Sequence, residues 1–377
     1  MLYTQFEDNF AKCKNVRIEN NIAEEVLSDI KKLTKAGVIN VIYTENKIDL
    51  ASEIEVLLNR AGYIAKITLL SNDIFVDELQ DNCEGIVLLG SSLSKLICGN
   101  KCLIVADDLH LFEILHKDYY SVIVDEKNIK NSSAGELAGG YGILMAKLIA
   151  CFDYKLSCIA YSKNDNLSII SEIEEVITSL FLKTYTFNFD ESFSRDLAMT
   201  IISVGMLESM LNKIDILSGY DICSLLVKKV SKSNNGKNEF AMLVGWYILN
   251  VVKSLIKNES KDLFLPSDII ADLEFVSGKA EISKLQLLNL IDNIVASEYT
   301  RLLFISFEYK NEIEKSINKI YTPCQNAIKN FRRIYYDAGL EIAASITMKD
   351  LSECVLKSVI FNPQYSFLKM YRILGIA

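Results

Sequence analysis

The apolar positions of this chain follow two different patterns. From residue 16 to about 125, short β-branched runs alternate with stretches of helical spacing. VRI (16–18), VINVIYT (38–44), IAKITLL (64–70), GIVLL (85–89), CLIVA (102–106) and YSVIV (120–124) are short, apolar and flanked by polar residues or glycine, which predicts buried strands. Between them, residues 22–35 and 48–61 carry apolar side chains at helical spacing, for example Ile48, Ala51, Ile54, Leu57 and Leu58. Strands alternating with helices predict a parallel sheet covered by helices on both faces.

From about residue 160 the strand pattern stops. Helical patterns take over at 168–184, 191–214, 220–231, 238–257, 281–319 and 324–337, and the three prolines (266, 323 and 363) fall where such patterns stop or start. SKSNNGK (231–237) is the most loop-like segment, and SKNDN (162–166) reads as an interdomain hinge. The expected organisation is an α/β domain with a Rossmann-like parallel sheet over 1–160, of nucleotide-binding type, followed by an all-α domain over 161–377. No internal repeat or low-complexity tract interrupts it.

Composition narrows the function classes. The 377 residues carry 40 Lys+Arg against 49 Asp+Glu, a formal charge of −9, and half are apolar. This argues for a core-forming protein of about two domains and against a nucleic-acid partner. Lys147 interrupts the apolar run 142–152 and Asn250 interrupts 241–252, so no spanning helix and no membrane partner are expected. The start MLYTQFEDNFAKCK lacks the basic and apolar regions of a signal peptide, and a cytoplasmic location is the expectation. Nine cysteines without a C-x-x-C pair read as reduced thiols. The only histidines are His110 and His116, which excludes any mechanism needing two imidazoles from the second half.

The stretch 120–157, YSVIVDEKNIKNSSAGELAGGYGILMAKLIACFDYKLS, carries a family resemblance. It resembles the segment that leaves the nucleotide domain in the dehydroquinate synthase and iron-containing alcohol dehydrogenase superfamily. Within that group, A-K-x-x-A-x-x-D-[WY]-K-L, here Ala146 to Leu156, is most similar to the glycerol-1-phosphate dehydrogenases. Ser218–Gly219 sits where that family has S-G-x-E-H, and YSFLKMYRILGI (365–376) is similar to its R-Y-T-x-L ending. The order and spacing hold over nearly the whole chain, each motif in degenerate form. The resemblance implies a dehydroquinate synthase-like fold and hydride transfer between a nicotinamide nucleotide and an alcohol. In that family the alcohol oxygen is held by a divalent metal with one carboxylate and two imidazole ligands.

This chain departs from the family's ligand set. The aspartate of A-G-x-G-D falls on Gly142, the histidine of S-G-x-E-H on Ile222, and the histidine of H-G-x-x-V on Asn238; Asp221 is the sole acidic survivor. No metal is expected. The nucleotide motif G-G-G-[ST]-x-x-D is also eroded, with Leu89-Gly90-Ser91 for the three glycines, Ser92 at the hydroxyl position and Lys95 for the aspartate. IVADD (104–108) stands for the V-P-T-like loop, and only about a dozen residues separate it from YSVIVD, so the family's hairpin is missing.

Gly90, Ser91, Ser92 and Asp107 are therefore the expected cofactor-facing residues, with NAD(P) weakly bound if at all. The turn reads either as a relict phosphate cradle or as a helix start capped by serine, and both readings stand. Asp107 and His110 could share a helix face, although a cap at Asp107 or Asp108 for a helix over 109–117 is the preferred reading. Cys98 and Cys102 read as buried thiols rather than a redox pair, and Trp246 and Tyr247 beside Gly245 as core. The leading expectation is a non-catalytic or repurposed protein that binds a nucleotide or phosphorylated ligand between its domains, as a homo-oligomer or beside an active paralogue. The competing one is an NAD(P)-dependent oxidoreductase acting on glycerol phosphate or a similar polyol, with Asp221 and Asn238 replacing the metal site. A structural oligomer subunit is the third.

Overall fold

A computed structural model describes residues 15–70, 83–95, 99–109, 111–115, 117–161, 166–183, 191–211 and 310–337. Six strands, β1 (Val16–Glu19), β2 (Val38–Tyr43), β3 (Ile64–Leu69), β4 (Gly85–Leu89), β5 (Gly99–Ala106) and β6 (Tyr119–Asp125), coincide with the six apolar runs to within a few residues. All neighbouring pairs are parallel, in the order β1-β6-β5-β4-β2-β3. Every residue of β4 is buried, as expected for a strand covered on both faces.

Helices α1 (Ile22–Leu33) and α2 (Ile48–Arg60) follow β1 and β2. In α1, Glu24 and Glu25 occupy the first turn and Lys31 and Lys32 the last, opposing the helix dipole at both ends. Its buried stripe of Ile22, Val26 and Ile30 recurs every four residues, and Ala51, Ile54 and Leu58 form the matching stripe of α2. Both stripes join Ile39, Val41, Tyr43, Val87, Leu89, Leu103, Val105 and Ile123 in one core. These strand residues alternate along the chain and so lie on one sheet face. The chain moves towards the β3 edge through β1, β2 and β3, then back through β4, β5 and β6. Right-handed crossovers accordingly assign α1 and α2 to one face and the helix Leu111–Leu115, between β5 and β6, to the other.

The connection from β5 to β6 is a short helix, α3 (Leu111–Leu115), with no hairpin strands among the described residues. After β6 come α4 (Glu126–Lys130), α5 (Ala134–Tyr161), α6 (Leu167–Leu182), α7 (Glu191–Ser209) and α8 (Lys310–Asp337). Asp125 caps α4 by accepting from the backbone N–H groups of Lys127 and Asn128. At the start of α5, Ser133 and Glu136 form a reciprocal capping box, with Oε2 of Glu136 2.7 Å from the Ser133 N–H and Oγ of Ser133 3.3 Å from the Glu136 N–H.

Two compact units divide the described residues. One holds the sheet, the chain to Leu137 and α7; the other holds α5 from Ala138, α6 and α8. The sequence pattern drew its line after residue 160, because a long helix gives no signal of where along its length its neighbours change. In the first unit α7 packs on α3 and α4. In the second, Tyr141 lies against Phe181 with ring centroids 4.8 Å apart and accepts a hydrogen bond from Asn330 Nδ2 at 3.3 Å. Glu174, buried on α6, pairs with Lys155 at 2.8 Å and with Lys319 at 2.7 Å.

Two expectations are corrected. Pro323 does not mark a helix boundary: α8 runs through it. A proline removes one backbone hydrogen bond, and the buried residues Ile320, Cys324, Ala327 and Ile328 keep a continuous apolar face on both sides of it. Lys147 does not break the apolar stretch of α5 either. The 19 residues Ala134–Phe152 are long and apolar enough to cross a membrane by composition, yet 81% of that window is buried within the fold, as in the core helix of a folded protein. The expected helices at 220–231 and 238–257, and residues 281–309 of the one expected over 281–319, lie outside the described residues.

Candidate functional site

In a doubly wound sheet, ligands bind beyond the carboxyl ends of the strands where the winding direction reverses. Here that switch lies between β2 and β4, which are paired although β3 intervenes in the chain. From β2 the chain proceeds to β3 on one side, and from β4 to β5 on the other. Tyr43 pairs with Leu89 and Leu89 with Val105, so the residues after β2, β4 and β5 emerge side by side.

Gly90 makes the turn after β4. Its φ of +128° is one that L side chains rarely adopt, and its N–H donates to the Val105 carbonyl at 3.0 Å. The turn leads into a 3-10 segment, Ser91–Lys95, where both readings of the turn expect a helix to start. A Cβ built on Gly90 would lie 3.7 Å from Thr44 Oγ1 and 3.9 Å from both Asp107 Oδ2 and Ser92 Oγ. Three side-chain oxygens from three loops therefore face the same point above the glycine.

Asp107 joins these loops. Its Oδ1 accepts the Ser91 N–H at 2.9 Å, its own N–H donates to Ser91 Oγ at 3.1 Å, and its Oδ2 lies 2.9 Å from Lys47 Nζ. The side chains of Lys47 and Asp107 are 11% and 19% exposed, so the pair is largely withdrawn from solvent and its charges are less screened than at the surface. Thr44 donates its hydroxyl to Asn46 Oδ1 at 2.6 Å. Ser92 is exposed, as is Lys95.

All four residues expected to face a cofactor, Gly90, Ser91, Ser92 and Asp107, thus lie together at the switch point. Asp107 is engaged with Ser91 and Lys47, and the helix that follows begins at Leu111 rather than 109. Thr44 and Lys47 are additions that the sequence did not disclose, since nothing in it reveals that β2 lies beside β4. His110, His116, Cys98, Asp221, Ile222, Asn238, Gly245, Trp246 and Tyr247 lie outside the described residues. Cys102 is buried in β5.

The arrangement does not suit a dinucleotide pyrophosphate. The Ser91 N–H, the backbone donor that such an anion would use, already serves a carboxylate, and a second anion would meet that carboxylate at close range. Of the metal-ligand positions that the resemblance implies, Gly142 alone is described; it lies buried within α5 and brings no side-chain donor. What the site offers are oxygen acceptors on Asp107, hydroxyls on Thr44 and Ser92 that both donate and accept, and one ammonium on Lys47.

No protein-family model matches this chain, and no characterised protein matches it by sequence. Solved structures do match it in fold. An iron-containing alcohol dehydrogenase from Thermotoga maritima superposes with a TM-score of 0.50 at 9% identity, over 98% of this chain and 99% of its own. A sulfoacetaldehyde reductase from Bifidobacterium kashiwanohense, solved with NAD+, gives 0.51 at 10% identity over 99% and 100%. A 1,3-propanediol oxidoreductase gives 0.51 at 10% identity over 98% of each chain. At such identities the likeness establishes the fold, that of the iron-containing alcohol dehydrogenases, and nothing further.

Proposed function

We propose that this chain is a divergent glycerol-1-phosphate dehydrogenase-like protein that does not carry out hydride transfer. Its repurposed switch-point site binds a nucleotide or phosphorylated polyol through hydroxyl groups. Asp107 accepts from the ligand hydroxyls, Ser92 and Thr44 flank them, and a phosphate monoester points outwards past Ser92. The protein works as a cytoplasmic homo-oligomer or beside an active paralogue.

One observation carries this reading: the carboxylate of Asp107 holds the Ser91 N–H and the Lys47 ammonium, which leaves acceptors where a pyrophosphate site presents donors. A carboxylate that has lone pairs to spare is a receptor for hydroxyls.

The test combines calorimetry with a turnover assay on the purified full chain. Glycerol 1-phosphate or AMP should bind saturably and bind more weakly to Ser92→Ala and Thr44→Val. No NADH- or NADPH-dependent reduction of dihydroxyacetone phosphate should occur, with or without added zinc or iron. Nicotinamide-dependent turnover would restore the enzyme reading.

A further inference from the structure

We propose that Asp107 is a specificity-determining residue that excludes pyrophosphate from a turn otherwise able to receive it. This rests on the reading of that turn as ligand-facing. The exclusion is local and has identifiable parts. Asp107 Oδ1 occupies the Ser91 N–H at 2.9 Å and Oδ2 occupies Lys47 Nζ at 2.9 Å. One carboxylate thus uses both its oxygens on the two donors that an incoming phosphate oxygen would need.

Reciprocity holds it in place. The Asp107 N–H donates to Ser91 Oγ at 3.1 Å, so the side chain and backbone of each residue grip the other across the β4 and β5 loops. The position is also sheltered, with Lys47 and Asp107 at 11% and 19% exposure, where repulsion between two anions is poorly screened. The atoms nearest the glycine are themselves polar. A Cβ at Gly90 would meet only oxygens, Thr44 Oγ1 at 3.7 Å and Asp107 Oδ2 and Ser92 Oγ at 3.9 Å, and of these Asp107 alone carries the charge that repels an anion.

Removing the charge should therefore convert the specificity. Asp107→Asn keeps an oxygen to accept the Ser91 N–H and releases Lys47, while Asp107→Ala vacates both donors. Calorimetry with inorganic pyrophosphate, and separately with NADH, on the wild type and both variants reads the effect, with circular dichroism confirming the fold of each. At least one of the variants should bind pyrophosphate about tenfold more tightly than the wild type, and Lys47→Met placed on the variant that gains should abolish the gain.

If both folded variants bind pyrophosphate no better than the wild type while glycerol 1-phosphate or AMP still binds the wild type, the exclusion by Asp107 is overturned and the reading of the turn survives. If none of these probes binds any of the chains, the turn faces no ligand and both fall.

Discussion

Ser91 and Asp107 hold each other by two reciprocal hydrogen bonds: the Ser91 N–H donates to Asp107 Oδ1 at 2.9 Å, and the Asp107 N–H donates to Ser91 Oγ at 3.1 Å. They lie sixteen residues apart, after adjacent parallel strands. The same contact closes the β4 turn and gives it a negative group.

Gly90 is the backbone counterpart of that contact. Its φ of +128° makes any side chain there strained even though space is available. Gly90→Ala is expected to cost about 1–3 kcal/mol of stability, as backbone strain of this kind does. Urea denaturation followed by circular dichroism checks it, and a cost within error of zero would mean that the turn relaxes to an ordinary φ.

A second glycine is required by packing instead. A Cβ on Gly205 in α7 would lie 2.6 Å from Leu115 Cδ1 and 3.2 Å from Leu115 Cβ in α3. Gly205→Ala should therefore destabilise by about 1–3 kcal/mol through overpacking. Because the obstacle is one flexible side chain, Leu115→Ala in the same chain should show a non-additive double-mutant cycle.

The helical unit carries a buried carboxylate with two cations of different exposure. Glu174 is buried, Lys155 is 17% exposed and Lys319 is 58% exposed. Removing the exposed partner by Lys319→Ala should cost less than about 1 kcal/mol, whereas Glu174→Ala, which strips Lys155 of its partner, should cost clearly more. Equal costs in thermal melts would show that the buried carboxylate adds nothing beyond a surface pair.

Alkaline pH should weaken the same unit. Burial pushes the Cys324 thiol well above its ordinary value of 9.0, and burial likewise pushes the Tyr141 phenol above 10.0 despite the hydrogen bond from Asn330. Both groups stay protonated when folded and ionise on unfolding, so the native state binds more protons and stability falls as pH rises. The loss begins near the ordinary values and continues towards the raised ones. Chemical denaturation from pH 7 to 10.5 should show this decline, and Cys324→Ala should flatten its early part; an unchanged slope would contradict it.

The contrast between β2 and Lys47 shows how far the sequence could be read. The six strands and two early helices announce themselves because each buries a stripe of fixed period, and period is a property of neighbouring residues along the chain. That β2 lies between β3 and β4 is a matter of topology, carried by no short segment, so the sequence did not place Thr44 and Lys47 beside Gly90, Ser91, Ser92 and Asp107. The same limit explains Pro323, whose local effect is helix breaking and whose surroundings are a continuous apolar face.

The most direct test of the account is calorimetric titration of the purified wild-type chain with NADH. With the Ser91 N–H and Lys47 held by Asp107, the chain should show no saturable binding up to about 1 mM, the weak end of specific association. A dissociation constant in the micromolar range for NADH would contradict the account and return the chain to the oxidoreductases whose fold it has.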